Sequence, residues 1–132
     1  MTSTKKSQNY IPIISNFLKP SITIDKDAEL LINRIFTALA AALKKNYDDF
    51  ILNTGYLGEA AAEAADRHTF VDKPIVGLNT VAESNVLVYI AKELFDLLNN
   101  ALRDSRQTKL TSDMIARVIQ NDPDLNISFN LQ

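Results

Sequence analysis

Apolar residues recur at three- and four-residue steps along two stretches that contain neither glycine nor proline. In the first, residues 25–50, the stripe is Ala28, Leu31, Ile32, Ile35, Leu39, Ala42, Leu43 and Tyr47. That spacing predicts one long amphipathic helix, with Asp25 or Asp27 placed to cap its start. In the second, residues 81–103, Leu87, Ile90, Ala91, Leu94, Phe95, Leu98 and Ala101 repeat the stripe. Thr80 followed by Glu83 matches a capping box, in which each side chain satisfies the other residue's backbone N–H.

Shorter segments flank these helices. Residues 11–18 predict a short apolar helix that begins at or after Pro12, and 22–24 alternate like a very short strand. Residues 59–70 are alanine-rich and helix-prone. Lys109 and Leu110 read as extended, and Thr111 or Ser112 caps a helix through Asn121, stopped by Pro123. Ile127, Phe129 and Leu131 alternate, which predicts either a strand laid on a neighbour or a loose end.

The order is therefore short helix, loop, long helix, loop, short helix, and then at least the last three of these again. A helix of this length cannot bury its stripe within a small unit and needs a second long helix to cross. Two halves of about 66 residues would be marginal alone. The expected fold class is all-α: two similar halves, 1–70 and 71–132, sharing one core.

Fourteen basic and sixteen acidic residues leave a net charge of −2, the wrong sign for a surface wrapped in nucleic acid throughout. A local basic ridge remains compatible with that sum. The chain has no cysteine, which removes disulfides, thiolate metal sites and thiol nucleophiles and makes an intracellular setting the default. The polar start with Lys5 and Lys6 does not resemble a signal peptide, and the low-charge run 30–43 is too short to span a bilayer. His68 is the only histidine, so no histidine-pair metal site is available. Asp48 with Asp49, or Glu59 with Glu63, lack the companions that catalytic or metal-binding carboxylates need. An enzyme, a cofactor and a small-molecule substrate are all unexpected.

The segment VLVYIAKELFDLLNNALRD, residues 86–104, resembles the long central helix of histone 2A. RQTKL at 106–110 is similar to that family's second loop, and ARVIQNDPDLN at 116–126 to its last core helix and acidic turn. Phe17-Leu18-Lys19, Ile24, Ala28, Ile32-Asn33 and Ile35-Phe36 resemble histone 2B more loosely. The order matches the histone doublets of large DNA viruses, here without long basic tails. Three departures stand out. Asp48-Asp49 replaces a basic second loop, the first helix of the second half is not evident, and Val88 stands where histone 2A carries an acid. Residues 59–70 could be the third helix of the first half or that missing helix; the former is favoured.

The resemblance implies two tandem histone folds forming an intramolecular pseudo-heterodimer. The first loop of one half would then lie beside the second loop of the other, placing 22–24 next to 108–110. Lys19, Lys26, Arg103, Arg106 and Lys109, with Thr23 and Thr108 as hydroxyl donors, form the implied DNA-binding set, although such residues are also ordinary on a solvated loop. Arg106 and Asp113 are implied to clamp that loop to the next helix. Glu93, Asp96, Asp122 and Asp124 fall on positions of the nucleosomal acidic patch, which docks arginine-bearing chromatin factors; a plain solvated acidic face is the equal alternative. The implied function is nucleosome-type packaging of double-stranded DNA with a histone 3–4-like pair, in chromatin or in a virion and virus factory. The competing expectation is an acidic histone-fold interaction module of a transcription or replication assembly that never touches DNA.

Because neither half should bury its own long helix, the chain severed after residue 70 is expected to lose cooperative folding. Thermal melting of fragment 1–70 by circular dichroism checks this; a sharp monomeric transition would remove the shared core.

Overall fold

Helices occupy the breaker-free stretches, with one interruption that the apolar stripe does not announce. The computed structural model describes residues 9–75 and 77–130, so Lys5, Lys6 and Leu131 lie outside it. Helix α1, Ile11–Ile14, carries Pro12 in its first turn, where the missing N–H costs nothing, and runs into a 3₁₀ turn at Ser15–Phe17. Strand β1 is Thr23–Ile24. Helix α2 is Lys26–Lys45, with Asp27 and Glu29 in its first turn and Lys44 and Lys45 in its last, each sign suited to its helix end. Asp25 occupies the N-cap position, but its side chain makes no capping hydrogen bond.

The single helix expected over 25–50 breaks at Asn46. That residue is extended (φ −161°, ψ 97°), and its side chain accepts from the Asp49 N–H at 3.0 Å, which starts α3, Tyr47–Asn53. An asparagine that competes for backbone donors ends one helix and caps the next. Helix α4, Gly55–Asp66, follows after Thr54. Thr54 is fully buried, and its hydroxyl donates back to the Phe50 carbonyl at 2.9 Å.

Helix α5, Val81–Ser105, is the longest and starts with the expected capping box, both halves of it formed. It ends at Arg106 in the left-handed region (φ 57°), and the Gln107 N–H returns to the Leu102 carbonyl at 2.9 Å. Strand β2 is Lys109–Leu110. Helix α6, Ser112–Asn121, is capped by Thr111, and α7 is Pro123–Asn130. The alternation of Ile127 and Phe129 thus belongs to a helix and not to a strand. Asp122 accepts from the Leu125 N–H at 3.0 Å and Pro123 opens the first turn, so the residue expected only to stop α6 also launches α7. Leu125, Ser128 and Phe129 face inward at helical spacing, whereas Ile127 faces out.

The protein is all-α apart from the parallel pair β1–β2. A single apolar cluster extends from Tyr10 to Phe129 and includes both long helices. Ile32, Phe36, Leu39 and Leu43 of α2 are buried with Leu87, Ile90, Leu94, Phe95, Leu98 and Leu102 of α5. Helix α5 contacts α1, α2, α4 and α6. Its most extensive partner is α4, whose Ala61 and Ala65 are buried at that seam; small side chains let the two backbones approach. Phe129 stacks edge-on against Phe36 at 5.1 Å, which ties α7 to α2.

Asparagines fix the loops. Asn85, fully buried on α5, accepts from the Phe70 N–H at 2.7 Å and donates to the Val71 carbonyl at 2.9 Å. Asn33 on α2 accepts from the Tyr10 N–H at 2.7 Å. Both clips satisfy loop backbone groups that burial would otherwise leave unpaired. Among the described residues no helix is long and apolar enough to cross a membrane.

Gly58 sits where α4 passes closest to the end of α3: a Cβ there would fall on Thr54 Oγ1 and 2.5 Å from the Ile51 carbonyl oxygen. Gly58→Ala is expected to lower stability by about 1–3 kcal/mol, because backbone cannot yield as a side-chain tip can. Urea unfolding of the two proteins measures the difference.

Candidate nucleic-acid interface and acidic face

Strands β1 and β2 come from opposite ends of the chain and pair in register, Thr23 with Lys109 and Ile24 with Leu110. The Thr23 N–H donates to the Thr108 carbonyl at 2.8 Å and the Asp25 N–H to the Leu110 carbonyl at 2.9 Å. Strand alternation turns Leu110 fully inward and leaves Thr23 and Lys109 exposed. The juxtaposition of 22–24 with 108–110 is therefore present. Lys19, Lys26, Arg103, Arg106 and Thr108 are exposed around it.

Lys19, Lys26, Arg106 and Lys109 form no ion pair within 4 Å with any described residue, and Arg103 touches only its exposed neighbour Asp104, at 3.3 Å. A pair so exposed contributes little and leaves the guanidinium free to exchange partners. The Thr23 hydroxyl leans on the Thr108 carbonyl at 3.4 Å, a long and weak bond. This edge thus carries five exposed cations from both ends of the chain, four of them in no ion pair with a described residue.

The implied Arg106–Asp113 clamp is absent. Asp113 pairs with Arg117 at 2.6 Å, one helical turn away on α6. Arg106 caps α5 in the left-handed conformation, and its exposed side chain makes no ion pair. An i,i+4 partner on the same helix needs no loop to be ordered first, so it takes the carboxylate.

The four acids divide. Glu93, Asp122 and Asp124 line one depression of about 250 Å³ together with Tyr56, Tyr89 and Leu97. Asp96 is held by Lys92 at 2.9 Å and does not line it. That hydrogen bond raises the Lys92 pKa. Burial, aided by the charge of Glu93, raises the Tyr89 pKa. Two of the carboxylates also have structural work: Asp122 caps α7, and Asp124 accepts from the Leu57 N–H at 3.3 Å in the first turn of α4. Helix α4 needs that outside cap, because the Thr54 hydroxyl at its own N-cap position is turned back to Phe50 and Ile51.

Several residues that matter here carry no motif. Asn99, in the apolar run of α5, donates from Nδ2 to the Phe17 carbonyl at 2.7 Å, and its Oδ1 accepts from the Lys19 N–H at 3.3 Å. Leu52 (79% exposed) and Tyr56 (84% exposed) stand out to solvent, and Tyr56 lines the acidic depression. A polar residue inside an apolar stripe is the only sequence signal for the first, and nothing signals the others. Among the described residues no group of three or more His, Cys, Asp or Glu could hold a metal ion.

Comparison with protein-family models finds none that matches the chain, and comparison with curated proteins finds no match.

Asp124→Ala is expected to destabilise by about 1 kcal/mol through loss of the α4 cap. Asp96→Ala, whose ion pair is exposed, should change stability by less than about 0.5 kcal/mol. Paired denaturant titrations distinguish the two; equal effects would remove the structural role of Asp124.

Proposed function

We propose that this chain is a fused pair of histone folds, similar to histone 2B followed by histone 2A, that packages double-stranded DNA. It does so together with a histone 3–4-like pair. One observation carries the reading: the parallel β1–β2 pair is flanked in sequence by exposed cations of residues 19–26 and 103–109, beside a core shared by two long helices. Cations together with hydroxyls suit phosphate oxygens and read no base sequence. On this reading the halves meet near Thr54, with α4 serving as the first helix of the second half, because α4 packs chiefly on α5. The acidic depression would receive arginine side chains of chromatin factors. Chromatin, or a virion and virus factory, is the setting that follows.

A second reading has its own support. Residues 46–66 carry Asp48, Asp49, Glu59, Glu63 and Asp66 and no lysine or arginine, and Leu52 and Tyr56 are exposed among them. An acidic surface with apolar anchors suits a protein partner, as in an interaction module that leaves DNA to others.

Titration with a DNA duplex in the presence of a histone 3–4 pair separates the readings. Packaging predicts a co-migrating, nuclease-protected particle. The part of the log–log salt slope that this chain adds to that of the histone pair alone should be no steeper than about −4.5, since five cations release about 0.9 counterion each. Assembly with the histone pair but no protection of DNA would favour the interaction module.

A further inference from the structure

From Leu18 to Asp25 the described backbone makes few hydrogen bonds within its own half: the turns from the Leu18 N–H to the Ser15 carbonyl at 3.2 Å and from the Ile22 N–H to the Lys19 carbonyl at 3.0 Å, and the opening bond of α2 on the Asp25 carbonyl. Every other anchor is on the second half: Asn99 grips the Phe17 carbonyl and the Lys19 N–H, Thr108 takes the Thr23 N–H, and Leu110 takes the Asp25 N–H. Two of these three anchors are backbone groups of β2 and survive any substitution. Asn99 is the only side chain among them.

The position of Asn99 gives this grip a consequence. Arg103 lies four residues further along α5 and so shares the helix face of Asn99. Holding the Lys19 main chain against Asn99 brings that lysine to the same face as Arg103, one turn away. Two exposed cations from opposite ends of the chain would otherwise separate by mutual repulsion, and Pro20 and Ser21 offer no further tether.

We propose that Asn99 is a positioning residue for the phosphate-binding edge. It fixes the backbone at Phe17 and Lys19 so that the Lys19 side chain is presented with Arg103 before any nucleic acid arrives. This assignment rests on the packaging reading of the same edge. An edge ordered in advance does not have to lose loop entropy on binding, and the difference appears as affinity. Asn99 itself touches no phosphate.

The test uses the full chain, unsubstituted and as Asn99→Ala, with Asn33→Ala as the control that removes an equivalent loop clip away from this edge. Two readouts are taken: affinity for a short DNA duplex at low salt, and amide hydrogen exchange at Lys19, with Thr23, held by the Thr108 carbonyl, as the internal reference. Asn99→Ala is expected to speed exchange at Lys19 relative to Thr23 and to weaken duplex binding about tenfold, near the loss of one to two hydrogen bonds. Asn33→Ala should leave both unchanged. Asn99→Asp, which keeps the acceptor for the Lys19 N–H, should retain slower exchange there than Asn99→Ala. Binding that survives in Asn99→Ala, or an equal loss in Asn33→Ala, overturns the role assigned to Asn99 and leaves the packaging reading standing. A protein that binds no duplex in its unsubstituted form overturns both, while unaltered exchange in Asn99→Ala removes the clip itself.

Discussion

Everything in this fold depends on the need of α5 to be covered from all sides. From Glu83 to Ala91 nearly every residue of that helix is buried, including Glu83, Ser84 and Asn85. A helix buried all round cannot rest on one neighbour; α4, α6, α2 and α1 each take a face. Two of those helices come from the beginning of the chain, so the first part of the sequence is core material for the second. Fully burying a leucine or isoleucine contributes about 1.5–3 kcal/mol, and α5 alone buries Leu87, Ile90, Leu94, Leu98 and Leu102. No local propensity term approaches that sum.

Burial at this density creates a second demand, which polar side chains meet. Loops pressed against buried helices carry N–H and C=O groups that lose water and must find partners. Asn33, Asn85 and Asn99 supply them, each from a helix and each to a loop distant in sequence. Asp124 does the same for the uncapped start of α4. Among the described residues the exception is the Tyr10 hydroxyl, buried with no hydrogen-bond partner there, an arrangement that costs about 1–3 kcal/mol and is tolerated because the ring fills space against Phe36. Burial also raises the pKa of that hydroxyl.

Charge is distributed with a polarity that the net value of −2 conceals. Helices α3 and α4 are acidic on their exposed positions, whereas the β1–β2 edge presents Lys19, Lys26, Arg103, Arg106 and Lys109. Such separation lets one small molecule carry a positive edge and a negative depression at the same time.

By itself the sequence determined the elements whose causes are local. The capping box at Thr80 and Glu83, the breaker-free helix 81–105, the extended pair 109–110 and the cap at Thr111 all rest on residues within a turn of one another. The parallel meeting of β1 with β2 pairs segments far apart in the chain, and no local signal sets it. Tertiary structure decided what depends on competition between distant partners. The apolar stripe of 25–50 continued past Asn46, yet the backbone broke there, because period alone does not register a side chain that outbids the next helical hydrogen bond. Asp113 had two arginines within reach in sequence, and the one on its own helix took it. The roles of Asn99 and Asp124 lay outside any motif, for each acts on a backbone group more than sixty residues away, and only the folded chain brings the two together.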